Sequence, residues 1–315
     1  MIVVLIVIAV LLVAILLNEY YYLIVCDYHQ YNHMKRGEKA GPYDVIAFGS
    51  AYCRYGLDFK NTNVYGYNFG YGSQFFYYSN LMLHQYAKTC KKGGVVYLII
   101  ADLVFAKLGK GLYGADEYLK FLDKGLLKDE YSIIKYIRVR FPLIFNPRLI
   151  CQCVKRMLGV SYVDDYDTQE NNILSEEDVK EAAEKRCKSW CRQFGLRNTV
   201  DSDISDDLEQ IFVKTRQVLT EMIQYCQDNQ LKPVLVVTPV SKIMNERISN
   251  TFIDRVLFTN INKANVQNVP VLNYLRDREF EDYRLYHNSA DCLNARGRRL
   301  FTKKLLADTQ SFLKR

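Results

Sequence analysis

The side chains able to do chemistry gather in short stretches that each follow an apolar run. Gly49-Ser50-Ala51 follows Asp44-Val45-Ile46-Ala47-Phe48, and Asn68-Phe69-Gly70 follows residues 63–67. Ala101-Asp102 and Thr238-Pro239 end two further runs, and His287-Asn288-Ser289-Ala290-Asp291-Cys292-Leu293-Asn294 precedes the last helical stretch. A hydroxyl, a carboxylate, thiols and an imidazole thus fall where chemistry should cluster if these runs are strands of a sheet. Ser50 is the available hydroxyl. Cys53 or Cys292 can serve as a nucleophile only if its thiol pKa is depressed. His287 is open to two readings, a base that folds back or an ordinary surface-loop histidine.

The nine cysteines (26, 53, 90, 151, 153, 187, 191, 226 and 292) do not form a metal or disulfide pattern. Their number is odd, and neither Cys151-x-Cys153 nor Cys187-x-x-x-Cys191 has the repeated C-x-x-C spacing of a structural zinc site, so they read as small hydrophobes. No metal and no cofactor is expected. Gly70-x-Gly72 hints at a nucleotide-binding loop, but a third glycine and a following acid are missing.

The elements that must position these residues alternate. Apolar strand runs at 44–48, 63–67, 95–100, 233–237 and 269–273 are separated by stretches of helical period at 74–90, from Leu208, and at 243–266. Ser175-Glu176-Glu177-Asp178 has the form of a capped helix start, and a final helix begins near Ala295. Strand runs this apolar belong to a sheet covered on both faces. The expectation is an α/β fold: a doubly wound, flavodoxin-like parallel sheet with helices on both faces and a helical insertion at about 105–230. In such sheets ligands sit at the carboxyl ends of the strands, where the candidate residues fall.

Composition constrains the rest. The chain has 315 residues, 49% hydrophobic and 24% charged, which excludes wholesale disorder. Residues 1–17 carry no charge, and the apolar character resumes beyond Asn18-Glu19 through three tyrosines. Without a basic leader or a small-x-small cleavage site, this reads as a transmembrane anchor over 1–25. A juxtamembrane linker over 26–42 and a globular domain over 43–315 follow. Lys35, Arg36 and Lys39 after the span lean toward a cytoplasmic body. The net charge of +7 is modest. The basic cluster Arg296, Arg298, Arg299, Lys303 and Lys304 reads as a solvated helix face, and no nucleic acid is expected as a partner.

With these stretches in order, the chain resembles the SGNH (GDSL-type) hydrolase superfamily, in its membrane-anchored branch associated with bacterial cell-surface polysaccharides. The resemblance rests on Gly49-Ser50-Ala51 with Tyr55-Gly56-Leu57-Asp58, on Asn68-Phe69-Gly70, on the Val234–Pro239 strand, and on Asp291-Cys292-Leu293-Asn294-x-x-Gly297-x-x-x-Phe301-Thr302. It covers about residues 40–105 and 230–310. It implies an esterase or O-acyltransferase frame, an oxyanion glycine at Gly70 beside Asn68, and an extracytoplasmic body acting at the cell envelope. The family's nucleophilic serine falls on Ala51, and its histidine falls on Cys292. A methyl group cannot attack, and a thiol is a poor base near neutral pH. Of the triad only Asp291 remains, and no Asn-Asp pair accompanies Asp102. The favoured reading is therefore a catalytically impaired pseudoenzyme that binds surface glycan, an acylated saccharide or an envelope-biosynthesis partner. The alternative is an active esterase or O-acyltransferase working through a rearranged triad.

Overall fold

A computed structural model describes residues 2–25, 31–101, 103–110, 115–127, 132–146, 148–160, 174–201, 203–287 and 290–313. In chain order the elements are α1 (Ile2–Tyr20), continued by a π-helical turn Tyr21–Val25, and α2 (Tyr31–Ala40). β1 (Tyr43–Phe48), α3 (Ala51–Gly56), β2 (Gly66–Asn68), α4 (Phe76–Tyr86) and β3 (Cys90–Ile100) follow. Then come α5 (Ile133–Arg140), α6 (Pro142–Phe145), α7 (Arg148–Met157), α8 (Glu176–Phe194), α9 (Asp206–Asp228) and β4 (Lys232–Val237). The chain continues through α10 (Lys242–Asn245), α11 (Asn250–Ile253), a π-helical turn Asp254–Phe258 and α12 (Thr259–Ala264). It closes with β5 (Val271–Asn273), α13 (Ala295–Asp308) and α14 (Gln310–Leu313).

The chain divides into two compact units. One holds residues 41–110 and 165–315 and is α/β. Its five strands are all parallel, in the order β2-β1-β3-β4-β5. The three central strands are apolar because both faces are covered: Val45 to Phe48, Val95 to Ile100 and Val234 to Val237 are all buried. The chain runs outward from β1 to β2 and then returns past β1 to β3.

Helix boundaries follow local chemistry. Ser175 accepts from the Asp178 N–H while the Asp178 carboxylate accepts from the Ser175 N–H, so the motif read from the sequence is a complete capping box for α8. The helix ends at Gly195, whose φ of 65° lies in the left-handed region. Ser205 caps α9 by accepting from the Leu208 N–H. Asn294 caps α13 by accepting from the Gly297 N–H. The stretch expected as one helix near 243–266 is interrupted, because Ser249 starts a fresh capped turn.

The other unit holds residues 1–40 and 111–164. The helical run Ile2–Val25 is long and apolar enough to cross a membrane, with a mean hydropathy of 3.0. Its large side chains from Ile2 to Leu16 are exposed, whereas Tyr21 and Tyr22 are buried with Leu143 and Cys153. Of the stretch 105–230 expected as an insertion, only 111–164 groups with this unit, while α8 and α9 belong with the sheet. Helices α5 to α7 fall in a region that the sequence pattern leaves irregular.

Candidate functional site

The site is built where α3, α8 and the loop before α13 meet. β1 must turn abruptly into α3, and Gly49 makes that possible. Its φ is +154°, and a Cβ there would meet the Ile99 Cβ at 2.9 Å and the Cys53 Cβ at 3.0 Å. Ser50 is the half-buried N-cap of α3, and its hydroxyl makes no capping bond. Ala51 is the first residue of α3 and Tyr52 is buried on it.

Asn68 sits at the end of β2 and ties that strand to α3. Its Nδ2 donates to the Cys53 carbonyl at 2.8 Å and to the Leu57 carbonyl at 2.9 Å. Its Oδ1 accepts from the Gly70 N–H at 2.8 Å and from the Cys53 thiol at 3.1 Å. Gly70 is required by close approach: a Cβ would lie 2.7 Å from both the Arg54 nitrogen and the Cys53 Cβ. The Gly70 N–H expected to face an oxyanion is therefore directed at Asn68, and Gly70 packs against α3 rather than opening toward a phosphate. Burial drives the Cys53 thiol well above its ordinary pKa, and the Gly70 N–H only partly opposes this. That is the reverse of what a cysteine nucleophile requires.

The loop before α13 is held from two directions. The Ser241 N–H and hydroxyl both donate to the Ala290 carbonyl, at 3.2 and 2.8 Å, which draws the loop toward the carboxyl end of β4. The His287 N–H donates to the Cys292 carbonyl at 2.7 Å, and the Asn294 N–H to the Leu285 carbonyl at 2.9 Å. Ala290 adopts φ of +62°, an uncommon conformation for a residue with a Cβ, directly before Asp291.

Asp291 is 1% exposed. Its Oδ2 accepts from the Tyr52 hydroxyl at 2.6 Å and from Arg186 Nε at 2.6 Å. Its Oδ1 is buried without a hydrogen-bond partner among the described residues. Burial works against the charge on Arg186, but Tyr52, Asp291 and Cys292 outweigh it and raise the guanidinium pKa, so it stays a cation. The guanidinium also lies 5.8 Å from the centre of the Trp190 ring. Cys292 is buried beside this pair. His287 stacks on Tyr55 of α3, with ring centres 6.0 Å apart.

The structure thus brings the α3 turn and the Asp291-Cys292 loop together, through Tyr52–Asp291 and Tyr55–His287. Ser50 and Ala51 begin the helix that makes those contacts. Asp102, Asn288 and Ser289 lie outside the described residues. Sequence reasoning missed Arg186, Tyr52 and Ser241. Arg186 had a readable signal. Val179, Ala183 and Trp190 form the buried face of α8, and residue 186 falls on the same face at helical spacing. Arg298, read with its neighbours as solvated, is 3% exposed and lies 4.0 Å from Asp58, so the basic cluster on α13 is not a single exposed face. Among the described residues no group of three His, Cys, Asp or Glu is placed to hold a metal. A cavity of about 890 Å³ is lined by Asp44, Asp58, Lys60 and Lys303 among others, and none of Ser50, Ala51, Asp291 or Cys292 borders it.

No family model matches the chain, and no curated protein is similar to it.

Proposed function

We propose that this is a membrane-anchored, SGNH-hydrolase-like protein of the cell envelope that binds surface glycan and does not hydrolyse it. In this reading 1–25 spans the membrane, the globular domain over 43–315 is extracytoplasmic, and its sheet is doubly wound with helices on both faces. One observation carries the reading: the carboxylate that would orient a catalytic histidine is instead paired with Arg186 and Tyr52, both on Oδ2 at 2.6 Å. Position 51 has no hydroxyl and position 292 no imidazole. A triad works only as a unit, so these replacements leave nothing to activate an attacking group.

What remains suits recognition. Asp291 fixes the Arg186 guanidinium by one nitrogen. Its Nη atoms make no hydrogen bond among the described residues, and the side chain is 34% exposed. A fixed guanidinium is a ready donor to saccharide hydroxyls or to an acyl carbonyl. The Tyr55–His287 stack offers an adjoining flat surface of the kind on which a sugar ring can pack. The second reading, an active esterase or O-acyltransferase, is favoured by one feature, the uncapped and half-buried Ser50 hydroxyl.

Turnover of an activated acetyl ester by the full chain in detergent separates the two. The proposal predicts a rate equal to that of the Ser50→Ala and Cys292→Ala variants. Turnover that disappears in either variant overturns it.

A further inference from the structure

We infer that helices α5 to α7 lie in the membrane–water interface, seated on an anionic lipid surface around the end of the apolar helix. This rests on the reading of Ile2–Val25 as a membrane span.

The packing of this unit sets the level. Asn18 Nδ2 donates to the Arg140 carbonyl at 2.9 Å, Glu19 pairs with Arg140, and the Tyr22 hydroxyl donates to the Val139 carbonyl. Tyr21 and Tyr22 form a small core with Leu143 and Cys153, to which Leu17 and Leu149 add. The three helices therefore gather on residues 17–25, where the uncharged run ends and polar side chains and tyrosines begin. That is the composition of an interfacial level, where tyrosine is enriched.

The outward faces of these helices carry large apolar side chains that are exposed among the described residues. In α7, Leu149 and Cys153 pack inward, while Ile150, Val154 and Met157, on the neighbouring part of the same apolar side, are 38%, 46% and 57% exposed. Arg148, Gln152 and Lys155 occupy the opposite side at helical spacing. In α5, Ile133 and Ile134 are 59% and 65% exposed, and in α6 Ile144 is 67% exposed. The apolar side of α7 is thus part packed and part open, and α5 has no buried residue, beside a helix whose side chains from Ile2 to Leu17 are all apolar.

Charge selects the occupant. Between Ser132 and Val160 there are six basic residues and no acidic one. Lys135 and Arg140 pair with Asp116 and Glu19, but Arg138, Arg148, Lys155 and Arg156 keep the surface positive. A helix with one apolar side and Lys or Arg on the other lies flat in an interface, and the basic side favours anionic headgroups. A second copy of this chain fits less well, because it would oppose the same positive charges.

The test uses the full chain with Trp190→Phe, so that one introduced tryptophan reports. Leu11→Trp, Ile144→Trp, Met157→Trp and Val213→Trp variants are reconstituted into phosphatidylglycerol-containing vesicles whose acyl chains carry bromine, which quenches nearby tryptophan. The inference predicts about two-fold or greater quenching at 11, 144 and 157, with 213 unaffected. Quenching at 11 but not at 144 or 157 overturns the inference and leaves the span intact. No quenching at 11 overturns the span reading and the inference with it. Quenching at 157 should fall when phosphatidylglycerol is replaced by phosphatidylcholine, while that at 11 should not. Equal quenching in both lipids overturns the anionic preference. Protection of 144 and 157 that rises with protein concentration instead identifies a contact between copies and also overturns the inference.

Discussion

Two buried amide or carboxylate groups, Asn68 and Asp291, lie at positions where the sequence suggested chemistry, and they differ in what is left over. Asn68 uses both ends of its amide. Its Nδ2 holds the carbonyls at the end of α3, and its Oδ1 holds the Gly70 N–H and the Cys53 thiol. Asp291 uses one oxygen on Tyr52 and Arg186 and keeps the other buried without a partner among the described residues. A fully satisfied buried polar group is architecture, because it fixes one arrangement of the backbone. A buried carboxylate with an unused acceptor, tied to a partly exposed cation, has capacity for something else. Asn68 therefore fixes the backbone around β2 and α3, whereas the loop before α13 keeps an unused acceptor beside a partly exposed cation.

The largest expected effect breaks the architectural half. Asn68→Ala leaves the Gly70 N–H and two carbonyls without their buried partner, and should cost about 3 kcal/mol of unfolding free energy. Chemical denaturation of the full chain in detergent measures it; a loss below about 1 kcal/mol would mean that water replaces the amide and that Asn68 is not structural. Next comes the ion pair. Arg186→Met leaves a buried carboxylate uncompensated and should cost about 2 kcal/mol, reduced from the fully buried case because the Arg186 side chain reaches solvent. Adding Asp291→Leu to Arg186→Met should recover most of that loss, since no charge is then left in the core. Additive losses would show that the two residues act independently.

These expectations depend on contacts that the sequence reveals unevenly. All five strands were readable, since apolar runs of this length have few other uses, and so were the starts of α8 and α13, whose caps are local chemistry. The 63–67 strand was placed early: only Gly66–Asn68 pairs with β1, because Asn61 to Val64 form a turn on which Thr62 closes its own hydrogen bonds. Helices α5 to α7 were not readable as elements of a core, because α5 and α6 have only eight and four residues and much of the α7 apolar side stays open. Asp291 was readable from its motif, and its partner only from one faint signal. Arg186 is 105 residues away on a helix whose charges are otherwise solvated, and only its place on the Val179–Trp190 face betrays it.

A third effect is read as reactivity. Cys53 is fully buried with its thiol pKa raised, whereas Cys151 is exposed. In the native chain an alkylating reagent should modify Cys151 readily and leave Cys53 untouched until denaturant is added. Because the folded thiol holds its proton to higher pH than the unfolded one, its share of stability is present below the ordinary thiol value of 9.0 and is lost as pH rises above it. Cys53→Ala should flatten that alkaline decline, and an unchanged slope would assign it to other groups. The smallest effect is that of Ala51→Ser, expected to shift stability by less than about 0.5 kcal/mol, because residue 51 begins a helix with a half-buried side. It should also leave ester turnover at background, since position 292 still has no imidazole.

The central claim is that the active-site frame no longer contains an activated nucleophile. Reaction of the full chain with a fluorophosphonate probe, followed by mass spectrometry of the peptides around the α3 turn, tests this most directly. The account predicts no adduct on Ser50 under conditions that fully label a working serine esterase. A stoichiometric Ser50 adduct, lost on denaturation before labelling, would contradict it.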